Sequence, residues 1–208
     1  ESDLDSVDVG ESVILSASET PNKSDQIPTS GFSWDTDSDG VNDVNGLTTE
    51  KSWPEPGNYS VRLSVTSTDS RSASTTRTIA VSDMSPPSVT MSPSGQITKG
   101  FGEEMSVSAS FTDNWGIESI DWLFDGAIVL SNYSISEPSS TLSIQVSDDY
   151  SAGEHIASII VTDKSGLSTR QDVTVIFMDV SAPVISPYEV QIEVESGDPT
   201  ILQVFAQD

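Results

Sequence analysis

Apolar and polar residues alternate with a period of two in several segments of the chain. Six segments are assigned to strands on this basis: 13–15, 59–65, 76–81, 105–109, 156–161 and 173–177. This pattern is typical of β-strands with one buried face and one face in water. No window has the 3.6-residue apolar spacing of a capped amphipathic helix. The sequence therefore predicts an all-β protein.

The chain contains an internal repeat. Residues 89–113 align without gaps with residues 184–208, at a constant offset of 95 residues. Five positions are identical between the copies: Val89 and Val184, Gln96 and Gln191, Ile97 and Ile192, Gly102 and Gly197, Asp113 and Asp208. A period of this length is the size of an immunoglobulin-type β-sandwich. The first part of the chain follows the template less closely, with Gly10 matching Gly102 and Gly57 matching Gly153.

The repeat and its proline-bearing linkers predict three modules in tandem. We expect one immunoglobulin-like β-sandwich over residues 1–84, a second over 87–180, and the opening strands of an incomplete third over 183–208. The third module cannot complete two sheets with the residues present. Its missing strands come either from further residues of a longer protein or from a neighbouring chain.

The composition fits several small cores better than one large enzyme core. Hydrophobic residues make up 35% of the 208 residues and aromatic residues 7%. Cysteine is absent, which excludes disulfides, thiol nucleophiles and cysteine-based metal centres within this sequence. Because most animal extracellular sandwiches carry a disulfide, the composition favours a bacterial or archaeal source. No apolar run is long enough to span a bilayer, so we expect no membrane insertion within this chain.

The charge balance is strongly acidic. Eight Lys and Arg stand against 33 Asp and Glu, which gives a net charge of −25 and a pI near 4.1. Nucleic acid is a poor partner for such a surface, because binding to phosphates requires Lys and Arg. Divalent cations are the natural counterions, although a soluble, self-repelling surface also explains the excess of acids.

Two motifs in the first module resemble those of a known family. One is Phe32-Ser33-Trp34-Asp35 followed by an Asp-Ser-Asp-Gly segment at 37–40, and the other is Pro-Gly-Asn-Tyr-Ser-Val-Arg-Leu at 56–63. With these motifs, residues 10–81 resemble the PKD family, immunoglobulin-like sandwiches of surface-layer proteins, adhesins and secreted hydrolases. The resemblance implies a core position for Trp34. It also implies a tyrosine corner at Tyr59, whose hydroxyl ties the turn before it to the backbone.

The second module is closer to the broader group of bacterial and archaeal immunoglobulin-like repeats. It keeps Asp-Trp-Leu-Phe-Asp-Gly at 121–126 and the turn residues at 112–117 and 161–166. Trp122 then takes the core position of the third strand. His155 stands where the PKD family has tyrosine, and we interpret it as a corner or core residue.

Residues 35–43 have the D-x-D-x-D-G spacing of an EF-type calcium loop. In this interpretation Asp35, Asp37, Asp39 and Asp43 supply side-chain oxygens, and Val41 supplies its backbone carbonyl. The twelfth position is Gly46 instead of a bidentate glutamate, and the flanks are strands. We therefore expect a calcium site of moderate affinity, the alternative being a solvated acidic turn.

A second group of acids is predicted from topology. The B–C and F–G loops of a sandwich share the pole at which its chain enters. Asp113, Asn114 and Asp163 of the second module should therefore face the first module, next to Asp83 in the linker. This arrangement suggests a metal site between modules by analogy with cadherins; exposed acidic loops that cap hairpins are the alternative.

N-x-S sequons place candidate N-glycosylation sites at Asn22 and Asn132, both in predicted loops. A third sequon begins at Asn58, in a tight turn. Such triplets arise easily by chance in a serine-rich chain.

The sequence contains no recognisable catalytic machinery. There is no G-x-S-x-G elbow, no H-E-x-x-H motif and no phosphate-binding glycine loop, and His155 is the only histidine. We expect a non-catalytic, extracellular stalk or spacer of a prokaryotic cell-surface or secreted protein, stiffened by calcium. Its partners would be other modules of the same protein, or a surface protein or polysaccharide.

Two alternatives remain. One is an accessory carbohydrate- or protein-binding module of a secreted hydrolase, with Trp53 and Trp115 as candidate exposed aromatic contacts. For Trp53, next to Pro54, we favour a role in covering the E–F turn. The other is a self-assembling protein whose incomplete third module receives strands from a neighbouring chain.

Overall fold

A computed structural model describes residues 6–18, 27–133, 135–185, 196–197 and 206–207. These residues are mostly in strands, with a single 3-10 turn at Thr29–Gly31 in the described part. The prediction of an all-β protein is confirmed. Among the described residues, no helix has the length and apolar character needed to cross a membrane.

The described residues of the first unit form seven strands: β1 (Val7–Asp8), β2 (Val13–Ser16), β3 (Phe32–Asp35), β4 (Val44–Asn45), β5 (Thr48–Lys51), β6 (Gly57–Thr66) and β7 (Ser72–Ser82). One sheet has the order β1-β7-β6-β3-β4, and the other pairs β2 with β5. Strand β1 runs parallel to β7, whereas the other pairs are antiparallel.

The second unit contains eight strands: β8 (Ser88–Ser92), β9 (Ile97–Gly100), β10 (Glu104–Thr112), β11 (Ile117–Phe124), β12 (Ala127–Asn132), β13 (Ser139–Gln145), β14 (Gly153–Asp163) and β15 (Ser168–Met178). Its sheets have the orders β13-β10-β8 and β12-β11-β14-β15-β9. As in the first unit, the last strand of the large sheet pairs in parallel with an early strand, β9. Both units are immunoglobulin-like β-sandwiches.

Each unit has its own core between its two sheets. Trp34 on β3 and Trp122 on β11 are buried in these cores, as the sequence predicts, and Trp122 is fully enclosed. Both indole N–H groups have partners: Trp34 donates to the carbonyl of Gly46 at 2.9 Å, and Trp122 donates to Ser140 Oγ at 3.0 Å. Each ring therefore fills the space between the sheets without leaving its polar atom unpaired.

The predicted tyrosine corner is present in the first unit. The Tyr59 hydroxyl donates to the backbone carbonyl of Glu55 at 2.9 Å. In the second unit, His155 takes the same place, with Nε2 at 2.8 Å from the carbonyl of Ser151. Each side chain reaches the carbonyl four residues before it and fixes the turn that precedes its strand.

The turn after the first strand of each large sheet is also the same in both units. Glu11 and Glu103 each donate their backbone N–H to the carbonyl three residues earlier, both at 3.1 Å. Each also accepts the N–H of that earlier residue with its side-chain carboxylate. Gly10 and Gly102 have positive φ angles of 78° and 88°, which glycine adopts without strain. The aligned Gly-Glu pairs of the sequence thus make one kind of turn.

The two sheet pairs lie within the proposed modules 1–84 and 87–180. Beyond them, β16 (Val184–Ile185) pairs antiparallel with β17 (Ala206–Gln207). The rest of the proposed third module, 183–208, lies largely outside the described residues.

Candidate metal centres

The aspartate loop, residues 35–43, connects β3 to β4 and is built around Asp35. This side chain is 3% exposed at the end of its strand. Its Oδ1 accepts the N–H of Ser38 at 2.7 Å, and its Oδ2 accepts the N–H of Gly40 at 3.2 Å. The bend needs positive φ at both donors, 65° at Ser38 and 87° at Gly40, which explains the glycine of the motif.

Asp37 and Asp39 turn their carboxylates toward the same region. Each accepts the backbone N–H two residues further on, at 3.2 Å for Asp37 and 2.7 Å for Asp39. One carboxylate oxygen from each of Asp35, Asp37 and Asp39 lies within 4.8 Å of the other two. Hard oxygen ligands at this separation fit a calcium ion, which takes six to eight oxygens at about 2.3–2.6 Å.

Asp43 lies outside this cluster, and the backbone carbonyl of Val41 stays a predicted ligand. Asp43 Oδ2 accepts both the N–H and the hydroxyl of Thr36, each at 2.7 Å, so the carboxylate closes the loop across its base. The two hydrogen bonds from Thr36, helped by Lys51, hold the pKa of Asp43 below its ordinary value. Val41 donates its N–H to Asp39, and its side chain is exposed. The loop is pinned to β6 by the Ser38 hydroxyl, which donates to the Ser60 carbonyl at 2.6 Å.

A second cluster lies between the units and consists of Asp83, Asp113 and Asp163, which we call the junction trio. One oxygen from each carboxylate lies within 4.8 Å of the other two. Asp83 belongs to the linker after β7, Asp113 follows β10, and Asp163 ends β14. Burial and the negative charges of Asp113 and Asp163 raise the pKa of Asp83, opposed by the N–H of Ser85. The structure thus brings together three of the four residues that topology predicted.

The fourth predicted residue, Asn114, contacts the first unit instead. Its Nδ2 donates to Asp8 Oδ1 at 3.2 Å and to the Val9 carbonyl at 3.1 Å. Asp8 also accepts the Met84 N–H at 2.9 Å and the Ser85 hydroxyl. Burial raises the pKa of Asp8, but these hydrogen bonds outweigh it, so the net pKa lies below its usual value. Asp8 therefore ties the linker and the second unit to the first.

The role of Asp8 in the contact between the units was not predicted from the sequence. It carries no motif, and the aligned position in the second module is Gly100, so the repeat gives no signal for it. Its role depends on how the two units meet, which a pattern within one unit does not encode.

The two tryptophans predicted as exposed contacts are both used in packing. Trp53 is 3% exposed and stacks on Tyr59 with ring centroids 5.4 Å apart. Trp115 belongs to the second unit by sequence, yet it is half-buried and packs against the core of the first unit. It follows Asn114 directly, so adjacent residues of the B–C loop make both contacts.

The sequence predicts N-glycosylation at Asn22 and Asn132. Asn22 lies outside the described residues. Asn132 is exposed at the end of β12. Glycosylation at both positions stays a prediction.

No protein-family model and no curated protein matches the chain. Among solved structures, the fibronectin(III)-like modules of CbhA from Clostridium thermocellum are 19% identical, with 83% of this chain and 88% of that chain covered and a TM-score of 0.40. The titin domains Z1Z2 in complex with telethonin are 18% identical, covering 84% and 92%, with a TM-score of 0.45. Three N-terminal domains of the bacteriophage RB49 outer capsid protein Hoc are 12% identical, covering 83% and 56%, with a TM-score of 0.37. The likeness is one of fold alone.

Proposed function

We propose that the chain is a non-catalytic spacer segment of a bacterial or archaeal secreted or cell-surface protein, built from PKD-like sandwiches that stand end to end. The observation that supports a spacer is the direct contact between units. Trp115 of the second unit packs on the first core, and Asn114 bonds to Asp8 and Val9. Met84 and Ser85 of the linker are bonded to the same Asp8. A linker held at both sides transmits orientation from one unit to the next.

The spacer function is tested by the tumbling of the two units in solution. We expect ¹⁵N relaxation of the full 22.1 kDa chain to give one common rotational correlation time for both units. Two clearly shorter, independent correlation times would contradict a rigid spacer, because they would mean that the linker acts as a hinge.

The aspartate loop supplies the calcium-binding part of the proposal. Asp35, Asp37 and Asp39 bring three carboxylates close together. Backbone N–H groups of the same loop hold both oxygens of Asp35 and one oxygen each of Asp37 and Asp39. Without a cation, these charges repel one another at close range. Bound calcium neutralises them and holds the loop against β6.

The calcium assignment is tested by thermal unfolding with calcium and with chelator. Calcium at a hundredfold excess over its dissociation constant stabilises the folded unit by about 2.7 kcal/mol. We expect Asp37→Asn to remove most of this gain, while Asp148→Asn, a change at an exposed acid of the second unit, leaves it intact. If chelator leaves the unfolding of the first unit unchanged in the unmodified chain, the aspartate loop is an acidic turn only.

The accessory binding module is less well supported. Such a module grips sugars or collagen with exposed aromatic side chains, but Trp53 is buried under Tyr59 and Trp115 is engaged between the units. We expect no retention of the chain on chitin, cellulose or collagen. Retention on any of the three would favour the accessory module over the spacer.

A further inference from the structure

The three acids of the junction trio continue the core-facing register of β7, β10 and β14, at the end of β14 or just past the end of β7 and β10. Side chains two residues apart on a strand share a face. Each acid comes two residues after the last buried apolar residue of its strand: Asp83 follows Val81, Asp113 follows Phe111, and Asp163 follows Val161. The inward register of β7, β10 and β14 therefore ends in three carboxylates that meet between the two cores.

Each of these carboxylates has one oxygen that is held by its own loop. Asp113 Oδ1 accepts the N–H groups of Trp115 and Gly116 at 2.9 and 2.7 Å. Asp83 Oδ1 accepts the N–H of Ser85 at 3.3 Å. These bonds fix the direction of the carboxylates and leave the other oxygen of each pointing away from the loop.

Asp163 is held in the same way and is the most deeply buried of the three. Its Oδ1 accepts the N–H groups of Ser165 and Leu167 at 2.8 and 2.9 Å and the Ser165 hydroxyl at 2.6 Å. The Ser165 hydroxyl also lies close enough to Asp83 to lower the pKa of that carboxyl, but its one proton can serve only one of the two acids at a time. The Asp163 side chain is 1% exposed.

The remaining oxygens of the trio have no partner. Four buried side-chain nitrogen or oxygen atoms of the described residues lack a hydrogen bond, and three of them are Oδ2 of Asp83, Asp113 and Asp163. Proteins leave few buried polar atoms unpaired, and an unpaired buried charge is costly. Three such atoms from different segments, on carboxylates that lie close together, form an arrangement that a bound cation would stabilise.

We propose that the junction trio binds a hard divalent cation, calcium in a calcium-rich environment, through Oδ2 of Asp83, Asp113 and Asp163. Carboxylate oxygens alone select calcium or a similar ion over soft metals. The ion joins the linker to both loops at the pole of the second unit. This proposal rests on the proposed spacer function and deepens it, because the bound ion would fix the angle between the units. Water completes the coordination shell of the ion.

The test is calcium titration of the full chain by isothermal calorimetry, with matched variants. We expect the unmodified chain to bind two ions, one in the aspartate loop and one at the junction. Asp163→Asn keeps the side-chain oxygen that accepts from Ser165 and Leu167 but should weaken one site at least tenfold. Asp37→Asn should remove the other site, and Asp148→Asn should remove neither. A chain that binds a single ion, lost in Asp163→Asn but kept in Asp37→Asn, would refute the aspartate-loop assignment and leave the junction site standing.

Thermal unfolding gives a second readout that a purely structural role does not produce. With chelator, Asp163→Asn should raise the melting temperature of the second unit, since it removes one of three opposed buried charges. With calcium, the same variant should melt below the unmodified chain. Unchanged calcium stoichiometry in Asp163→Asn overturns the proposal. A variant that is more stable than the unmodified chain in both buffers also overturns it, because the trio would then be neutralised by protons.

Discussion

The Nδ1 atom of His155 lies 2.6 Å from Oδ2 of Asp125, while its Nε2 faces the carbonyl oxygen of Ser151 at 2.8 Å. Both neighbours are acceptors, so the ring is fully paired only when both nitrogens carry protons. Burial lowers the pKa of His155, but the hydrogen bonds to Asp125 and Ser151 outweigh it, and the net pKa lies above 6.5. For Asp125, burial raises the pKa, whereas the bonds from His155 and the Ile156 N–H lower it below 3.8 overall.

This pair predicts that the second unit loses stability on the alkaline side. A histidine with a raised folded pKa contributes fully below its unfolded pKa, about 6.5, and loses that contribution as pH rises through the folded pKa. Asp125 contributes above its unfolded pKa and loses this as pH falls through its lower folded pKa. The unit should therefore be most stable between about pH 4 and 6.5. Thermal unfolding of the full chain from pH 5 to 8.5 measures the decline.

The variant His155→Gln is the control for this prediction. The chain has one histidine and no cysteine, so few other side chains titrate between pH 6 and 8.5. His155→Gln should abolish the slope in this range, whatever its effect on absolute stability. A slope that persists in this variant would mean that another group causes it.

The tyrosine corner makes a measurable contribution to the first unit. Tyr59→Phe removes the hydroxyl that donates to Glu55 but keeps the ring that stacks on Trp53. Loss of one hydrogen bond should lower the free energy of unfolding by about 1 kcal/mol. Urea unfolding checks this against Tyr133→Phe, at a side chain that is 70% exposed and should be neutral. If the two variants change the free energy of unfolding equally, the hydrogen bond of the Tyr59 hydroxyl does not stabilise the first unit.

Trp115 should stabilise a unit to which it does not belong by sequence. Trp115→Ala removes a half-buried ring from the surface of the first core and should destabilise that unit by about 1–2 kcal/mol. It should also let the two units tumble more independently in ¹⁵N relaxation. Tyr133→Ala, an exposed aromatic of the same unit, is the control for both measurements. If only the second unit loses stability, Trp115 does not pack across the junction in solution.

The alternation of the sequence predicts the strands and much of the core, because a period of two places side chains on one face. Trp34, Trp122 and Tyr59 lie where the motifs put them, and each is explained by packing or a hydrogen bond within one unit. The same alternation contains the signal for the junction trio, since Asp113 and Asp163 continue inward registers past the last apolar residue. Asp83 does so in the linker, where no strand was predicted.

Contacts between units could not be predicted in this way. Topology predicts that Asn114 faces the first unit, but its partner there, Asp8, has no period or motif in the sequence. The spacing of the aspartate loop assigns Asp43 to the cluster, but Thr36 offers it an N–H and a hydroxyl at 2.7 Å. Local hydrogen bonds thus determine which carboxylates of the motif join the cluster, and the sequence spacing does not predict these bonds.

The most direct test of the account is an anomalous difference map from crystals of the full chain grown in calcium and measured at a wavelength where calcium scatters anomalously. We expect two peaks with carboxylate ligands, one among Asp35, Asp37 and Asp39 and one among Asp83, Asp113 and Asp163. A map without a peak at either cluster, in crystals grown with millimolar calcium, would contradict the claim that these aspartates are grouped to hold cations.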